Sequence, residues 1–564
     1  MTNSGSTNRF FNRLNAFINN HRYELMFGAI LIIYVFNMFL DIMEIDAAQY
    51  ANISMEMSYN RSFLEVYFRG HDYLDKPPLL FWMSSVSFIL FGISNFTYKL
   101  PSVLIAILGI YSTYRFTRMW YDKKTGILAA LILASTQAFF LLTNDIRTDT
   151  SLVGLVIFSV WQMSLYIREN KWKHLVLGAV GTGGAMLAKG PIGLVIPAVA
   201  IGADLLLKRD WKNMFRYQWL IFLLIVAVVL LPMSYGLFVQ FDLHPEKIVY
   251  KLQGPSGLKF FYWTQSFGRI TGDIYWKNDT SFFFFFHSIL WDMQPWIMFF
   301  IPALFISLFH LVKKRFRLEK SEEAITLAGF VIMLLALSMS NFKLPHYIFP
   351  IFPFAAVITA TFIIGLKEKI RVGLGSVVLG LIQLYWLLII IMFIFIFPVE
   401  NILIPVIAGL LLFLSWYFYD AIKTGTDKVV IPILITAIGF NFVMATHFYP
   451  NLLEFQASAK AGKMVDASNI PPDGFYFYRH WENVLDFYSR RTVLPVEKDK
   501  LTGLPEGTWI FTHDVGYKDI IENNLPFKKV AEFDYHGVTT LRLNFLNRST
   551  RSSTLKKYYI MEKI

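Results

Sequence analysis

Two short stretches concentrate ionisable side chains in an otherwise apolar chain. Glu44-Ile45-Asp46-Ala47-Ala48-Gln49-Tyr50 places two carboxylates just past the first long apolar run, and Asp72-Tyr73-Leu74-Asp75-Lys76-Pro77-Pro78-Leu79 follows. Carboxylates near a lipid–water boundary either face the aqueous phase or serve a function. Pro77 and Pro78 fix the backbone ahead of a short apolar stretch, which would hold Lys76 at headgroup depth, where an ammonium can meet a lipid phosphate. Glu44 with Asp46 could offer oxygen ligands to a divalent cation, yet two carboxylates do not make a site. No cofactor is required by any motif.

Other candidates have plainer explanations. Lys189 and Lys343 lie at the edges of apolar runs, where snorkelling to the interface accounts for them, Lys343 being the better phosphate contact of the two. His287 and His346 lack the spacing of a metal motif, so packing or a substrate hydrogen bond explains them better. The run Phe282 to Phe286 reads as lipid-facing bulk, and Asn278-Asp279-Thr280 is a chance-level sequon.

The elements that must position these residues are membrane helices. Of 564 residues 55% are hydrophobic and 17% aromatic, and only 16% are charged, which excludes a soluble cytoplasmic enzyme. The formal charge of +12 comes without a basic stripe, so no nucleic-acid partner is expected; basic excess in polytopic proteins gathers in cytoplasmic loops. With no cysteine, disulfides, thiolate metal sites and a cysteine nucleophile are excluded.

Thirteen apolar runs approach spanning length: Leu25 to Leu40, Tyr98 to Arg118, Gly126 to Thr143, Thr150 to Ile167, His174 to Ala188, Ile192 to Leu207 and Gln218 to Val239, then Phe282 to Val312, Ala324 to Ser340, Tyr347 to Leu366, Val372 to Phe397, Ile402 to Tyr419 and Val429 to Phe448. Pro78 to Phe91, about fourteen residues, is too short to span comfortably and is assigned to the interface. With it there, the loops rich in Lys/Arg all fall on one side, and the N-terminus is cytoplasmic. The expected division is a leader at 1–23, a membrane domain at 24–450 with outer loops 41–96 and 240–281, a small outer α/β domain at 451–546 and a solvated basic tail at 547–564.

Asp46-Ala-Ala-Gln-Tyr50, Lys76-Pro-Pro-Leu79, Ala188-Lys-Gly-Pro191 and Lys343-Leu-Pro-His-Tyr-Ile-Phe-Pro350 occur in an order that resembles the aminoarabinose (lipid A) transferase and protein O-mannosyltransferase superfamily. These are membrane glycosyltransferases of the GT-C fold. The resemblance implies an all-α polytopic domain with about 13 transmembrane helices, interfacial helices and a small C-terminal soluble α/β domain. It also implies transfer of a sugar, with inversion, from a polyprenyl-phosphate donor to lipid A, protein or a surface glycan at the outer face of a bacterial inner membrane.

By the same resemblance Asp46 and Asp149 are catalytic, and Lys76 and Arg269 bind the donor phosphate. Glu44, Tyr50, Asp75, Tyr347 and Lys343 are the expected substrate-binding residues, and a monomer is expected. Ala47 departs from the family pattern where Glu is usual, leaving Glu44 as the substitute for a paired carboxylate, and Asp75 stands where many members have Glu. Cations suit a phosphate leaving group because they stabilise charge as it develops, and a carboxylate suits deprotonation of a hydroxyl acceptor. A transporter or lipid flippase is the alternative, motivated by the number of spans; against it, few ionisable residues lie near span centres and no paired broken helices recur. A lipid-linked polysaccharide ligase would need a large loop late in the chain and ranks lower.

Overall fold

The computed structural model describes residues 4–265, 268 and 280–564. A helical bundle runs from Ser4 to Leu453 and carries, at one end, a small domain built on a five-stranded sheet. Among the described residues eight helices are long and apolar enough to cross a membrane, or nine if the bent pair Lys123–Ser135 and Gln137–Asn144 is one span. This falls short of thirteen for identifiable reasons. The Phe282 to Val312 run breaks into Phe284–Asp292 and Ile297–Lys313 around Pro295, and Ile192–Leu207 and Ile325–Ser338 are short. The His174 to Ala188 run forms helix Trp172–Lys189, which lies outside the eight. Leu79–Phe91 is helical and short, in keeping with its exclusion from the spans.

Local chemistry sets the helix ends. Ser94, Asp122 and Thr136 accept hydrogen bonds from the backbone N–H groups of Thr97, Thr125 and Phe139, capping three successive helices. Small residues then let helices meet closely, as in other membrane bundles. A Cβ on Gly154 would stand 2.1 Å from the Ile105 carbonyl oxygen, so helix Thr148–Glu169 lies directly on helix Asn95–Trp120. That crossing fixes the helix whose first turn carries Asp149. Gly190, at φ +85°, ends helix Trp172–Lys189 and turns the chain into Ile192–Leu207, leaving Lys189 at the turn.

The segments 41–96 and 240–281 hold, among their described residues, short elements: helix Asp46–Asn60, a hairpin pairing Tyr67–Phe68 with His71–Asp72, and a second hairpin pairing Ile248–Val249 with Leu252–Gln253. Gln240 joins the two segments, donating to Val66 O and Asp72 Oδ1, both at 2.9 Å.

The C-terminal sheet has the order Leu494–Pro495, Phe475–Phe477, Trp509–His513, Lys556–Lys563, Phe527–Tyr535, the first three parallel and the rest antiparallel. One expectation fails here: the stretch assigned to a solvated basic tail contains Lys556–Lys563, which pairs on both sides within the sheet. Tyr558 and Ile560 pack into one apolar cluster and Tyr559 and Met561 into another, a period-2 alternation masked by the flanking basic residues.

Candidate active site

The site forms where helix Asp46–Asn60, the Asp72 to Pro78 loop, and the ends of helices Thr148–Glu169 and Trp172–Lys189 converge. Asp46 opens its helix and is half-buried, with 36% of its side chain exposed; its Oδ2 accepts from Arg147 Nη1 at 2.7 Å. Arg147 Nε also bonds Asp145 Oδ2 at 2.8 Å. Burial opposes the guanidinium charge, but the carboxylates of Asp145 and Asp46, with Tyr50 close by, hold Arg147 charged well above its usual range. Tyr50 is buried against Phe81, and burial together with the charges of Asp46 and Asp75 keeps its hydroxyl neutral.

A second ion pair sits deeper. Asp149 is 3% exposed, in the first turn of its helix where a negative charge is favoured, and it receives the Lys189 ammonium. Lys189 Nζ lies 3.9 Å from the centroid of the Tyr347 ring, a cation–π contact. His346 Nε2 is 3.8 Å from the other Asp149 oxygen.

Lys76 bonds its neighbour Asp75 at 2.7 Å, and Gln265 Nε2 reaches the other Asp75 oxygen at 3.1 Å. Lys76, Lys189, Gln265 and Tyr347 line one wall of a cavity with about 1040 Å³ of atom-free space, its open mouth included. Apart from Ser340, the rest is apolar, with Leu152, Ile192, Val195, Met333, Ala336 and Leu337 among it. A polar, doubly cationic wall on an apolar trough is complementary to an amphiphile with an anionic head.

Of the residues expected at the site, Asp46, Tyr50, Asp75, Lys76, Asp149 and Tyr347 are brought together here. Glu44 is not with them: its carboxylate turns into the C-terminal domain, accepting from Val538 N at 3.2 Å and Tyr535 Oη at 3.3 Å. It therefore does not pair with Asp46 as a substitute for the missing Glu. Among the described residues no group of three His, Asp or Glu side chains is arranged to hold a metal. Lys343 is buried, donates to Thr280 O at 3.2 Å and is not among the residues that line the cavity. Arg269 lies outside the described residues.

Arg147 was missed by the sequence reading, and Lys189 was explained by snorkelling. A signal was available: Asp145-Ile146-Arg147-Thr148-Asp149 packs three charges between two apolar runs, and Lys189 precedes Gly190-Pro191, which ends a helix in place.

Backbone ties bring the C-terminal domain onto the segment before Asp46. Ile42 N donates to Tyr488 Oη at 2.8 Å, Glu44 N donates to Gln456 Oε1 at 3.0 Å, and Asn483 Nδ2 donates to Ile45 O at 3.4 Å.

Known proteins of similar sequence and fold exist. Residues 75–235 match the family described as dolichyl-phosphate-mannose-protein mannosyltransferase. The undecaprenyl phosphate-alpha-4-amino-4-deoxy-L-arabinose arabinosyl transferase 2 of Proteus mirabilis is 24% identical over 331 residues, 58% of this chain and 56% of that protein. The corresponding transferase of Yersinia pestis is 25% identical over 337 residues, with the same two coverages. The chain thus spans a little over half the length of the curated relatives it matches. Crystal structures of ArnT from Cupriavidus metallidurans align over nearly the whole chain at 16% identity. The form bound to undecaprenyl phosphate gives a TM-score of 0.72 over 95% of this chain and 97% of that one, and the apo form 0.73 over 96% and 98%. The chain has the fold of ArnT and, among its described residues, eight helices, or nine with the bent pair, long and apolar enough to cross a membrane.

Proposed function

We propose that this protein transfers one sugar from a polyprenyl-phosphate donor to an acceptor on the outer face of a bacterial inner membrane. The observation that carries this reading is the cavity, whose apolar trough ends at Lys76 and Lys189 beside the Asp46–Arg147 pair. A polyprenyl chain suits the trough, and the two ammonium groups suit its phosphate. The relatives named for undecaprenyl phosphate-aminoarabinose and the ArnT crystallised with undecaprenyl phosphate support the same donor class.

In the proposed step the acceptor oxygen attacks the anomeric carbon of the donor sugar while the bond from that carbon to the phosphate oxygen breaks. Polyprenyl phosphate leaves with the bonding electron pair, and the configuration inverts. Asp46 receives the proton of a hydroxyl acceptor; a phosphate acceptor would need no base, and Asp46 would then orient it. Arg147 holds the Asp46 carboxylate in place through its Nη1. Lys76 and Lys189 stabilise the charge that develops on the leaving phosphate, held in place before the reaction by Asp75, Asp149 and the Tyr347 ring.

The full topology in this reading has thirteen spans, a cytoplasmic N-terminus and a periplasmic C-terminal domain, and the protein acts as a monomer. Lipid A, protein and surface glycan are the acceptor classes, lipid A being favoured by the aminoarabinose transferases among the relatives. The test is mass spectrometry of lipid A, polyprenyl-phosphate lipids and periplasmic glycopeptides from cells carrying the native protein or Asp46→Asn. Loss of one sugar from a product, with build-up of the polyprenyl-phosphate sugar, is the expected result. Unchanged chemistry with a folded Asp46→Asn protein present overturns the reading and favours a transporter.

A further inference from the structure

Contacts from one outer segment fall at three places on the loop that carries Lys76. The first place is Asp72. Gln240 Nε2 donates to its Oδ1 at 2.9 Å, and Lys247 Nζ lies 3.2 Å from the same oxygen and 3.0 Å from Oδ2. The second is apolar, where Leu74 packs with Phe241 and Val249. The third is Asp75, whose two oxygens are taken one by Gln265 Nε2 and one by Lys76 Nζ. Residues 240–265 thus brace Asp72, Leu74 and Asp75, the last being the carboxylate that holds the Lys76 ammonium.

The brace acts on a turn with space to either side. Tyr73 is packed against Phe68 and Phe81, but Lys76 and Pro77 after it line two cavities at once. One is the cavity at Lys189; the other is smaller, with about 360 Å³ of atom-free space, its open mouth included. Met233 and Leu237 of helix Gln218–Leu237, with Phe261, help to line the smaller one. A segment that stands between two spaces lacks part of the packing that fixes buried chain, so its tethers set its position.

Lys247 is the charged member of the brace. It precedes the hairpin that pairs Ile248–Val249 with Leu252–Gln253, and Gly254, at φ +54°, closes that hairpin by donating its N–H to Lys247 O at 2.8 Å. The Lys247 ammonium also donates to Gln240 O at 2.9 Å, so one group joins the hairpin, the chain leaving helix Gln218–Leu237 and Asp72. The side chains of Lys247 and Asp72 are 28% and 18% exposed. An ion pair of that exposure adds little to stability, so its loss shows in the position of the loop before it shows in melting.

We propose that Lys247 is a positioning residue for Lys76: through Asp72 it fixes where the Lys76 ammonium stands when it meets the donor phosphate. The proposal rests on the transferase reading, in which Lys76 contacts that phosphate, and its test separates the two. Binding of undecaprenyl phosphate to the full chain, in nanodiscs of phosphatidylethanolamine and phosphatidylglycerol, is titrated by native mass spectrometry. Lys247→Met should weaken binding about tenfold with the melting temperature unchanged. Asp72→Ala should weaken it in the same direction, although loss of a negative charge would by itself tighten the binding of an anion. Lys247→Arg, which keeps a cation at Asp72, should restore most of the affinity. In a chain that already carries Lys76→Met, Lys247→Met should add no further loss, because it acts through the ammonium already removed. Native affinity in Lys247→Met, a loss that adds in full to that of Lys76→Met, or tighter binding by Asp72→Ala overturns the proposal. Failure of the donor reading shows separately and takes the proposal with it: the native chain then binds no undecaprenyl phosphate, or Lys76→Met binds it as well as the native chain does.

Discussion

Gln456 grips the backbone just ahead of Asp46 from both directions: its Nε2 donates to Ile42 O at 2.9 Å and its Oε1 accepts from Glu44 N at 3.0 Å. Gln456 is fully buried and lies at the entry to the C-terminal domain, more than four hundred residues from Glu44 in sequence. The domain therefore does more than cover the bundle, because it sets the exit angle from which helix Asp46–Asn60 starts. Gln456→Ala removes two buried hydrogen bonds, worth about 1 kcal/mol each. We expect kcat to fall roughly tenfold with little change in the KM for donor, since the cavity is untouched. A fall in donor affinity with kcat preserved would mean that the contact shapes the cavity instead.

Arg147 bridges Asp46 and Asp145 through two different nitrogens, a geometry that one ammonium does not reproduce. Arg147→Lys keeps the charge and loses the fork. Turnover should drop on the order of a hundredfold, about 3 kcal/mol in the barrier, while melting temperature changes little. Steady-state assays beside thermal unfolding of the same preparation would decide this.

Asp149 and Lys189 form a buried pair, so removing one partner leaves the other charged and uncompensated. Asp149→Ala should destabilise the chain by about 3–5 kcal/mol. Replacing both together, with Asn and Met, should recover part of that loss while activity stays absent. A double-mutant cycle on unfolding free energy measures the coupling, and additive effects would show that the pair is not a unit.

Glu44 gives a pH signature. Burial, and then the nearby Glu482 carboxylate, raise its pKa from 4.5 to about 7. The folded chain thus holds a proton that the unfolded chain releases above pH 4.5. This contribution is fully present below pH 4.5 and is lost as pH rises through 7, amounting to about 3 kcal/mol at most. Asp486, raised to about 7 by burial against the opposing effect of Arg69, adds a loss in the same direction. The melting temperature should fall between pH 5 and 8, and Glu44→Gln should flatten part of that fall without lowering stability at pH 5. An unchanged profile in Glu44→Gln would assign the whole effect to other groups.

The helical class was legible because apolar run length is a local signal, and the grouping of Asp46, Tyr50, Asp75, Lys76, Asp149 and Tyr347 was expected from short motifs that resemble those of a known family. The fate of Glu44 was not, because only the fold of a distant domain decides where its carboxylate turns. Lys189 looked like an interfacial lysine since sequence cannot show Asp149 below it and the Tyr347 ring against it. The Lys556–Lys563 strand hid for another reason: half of its residues are charged, and the pairing that stabilises it on both sides is non-local.

The same strand sets an order of events during synthesis. Tyr535, which holds Glu44, stacks on Tyr558 at 4.4 Å and belongs to a strand whose sheet partner is Lys556–Lys563. The corner around Asp46 is thus among the first pieces made, yet its outer support closes only after more than five hundred further residues. A chain stopped before Lys556 would carry the bundle while the strand that holds Tyr535 against Glu44 still lacked its sheet partner.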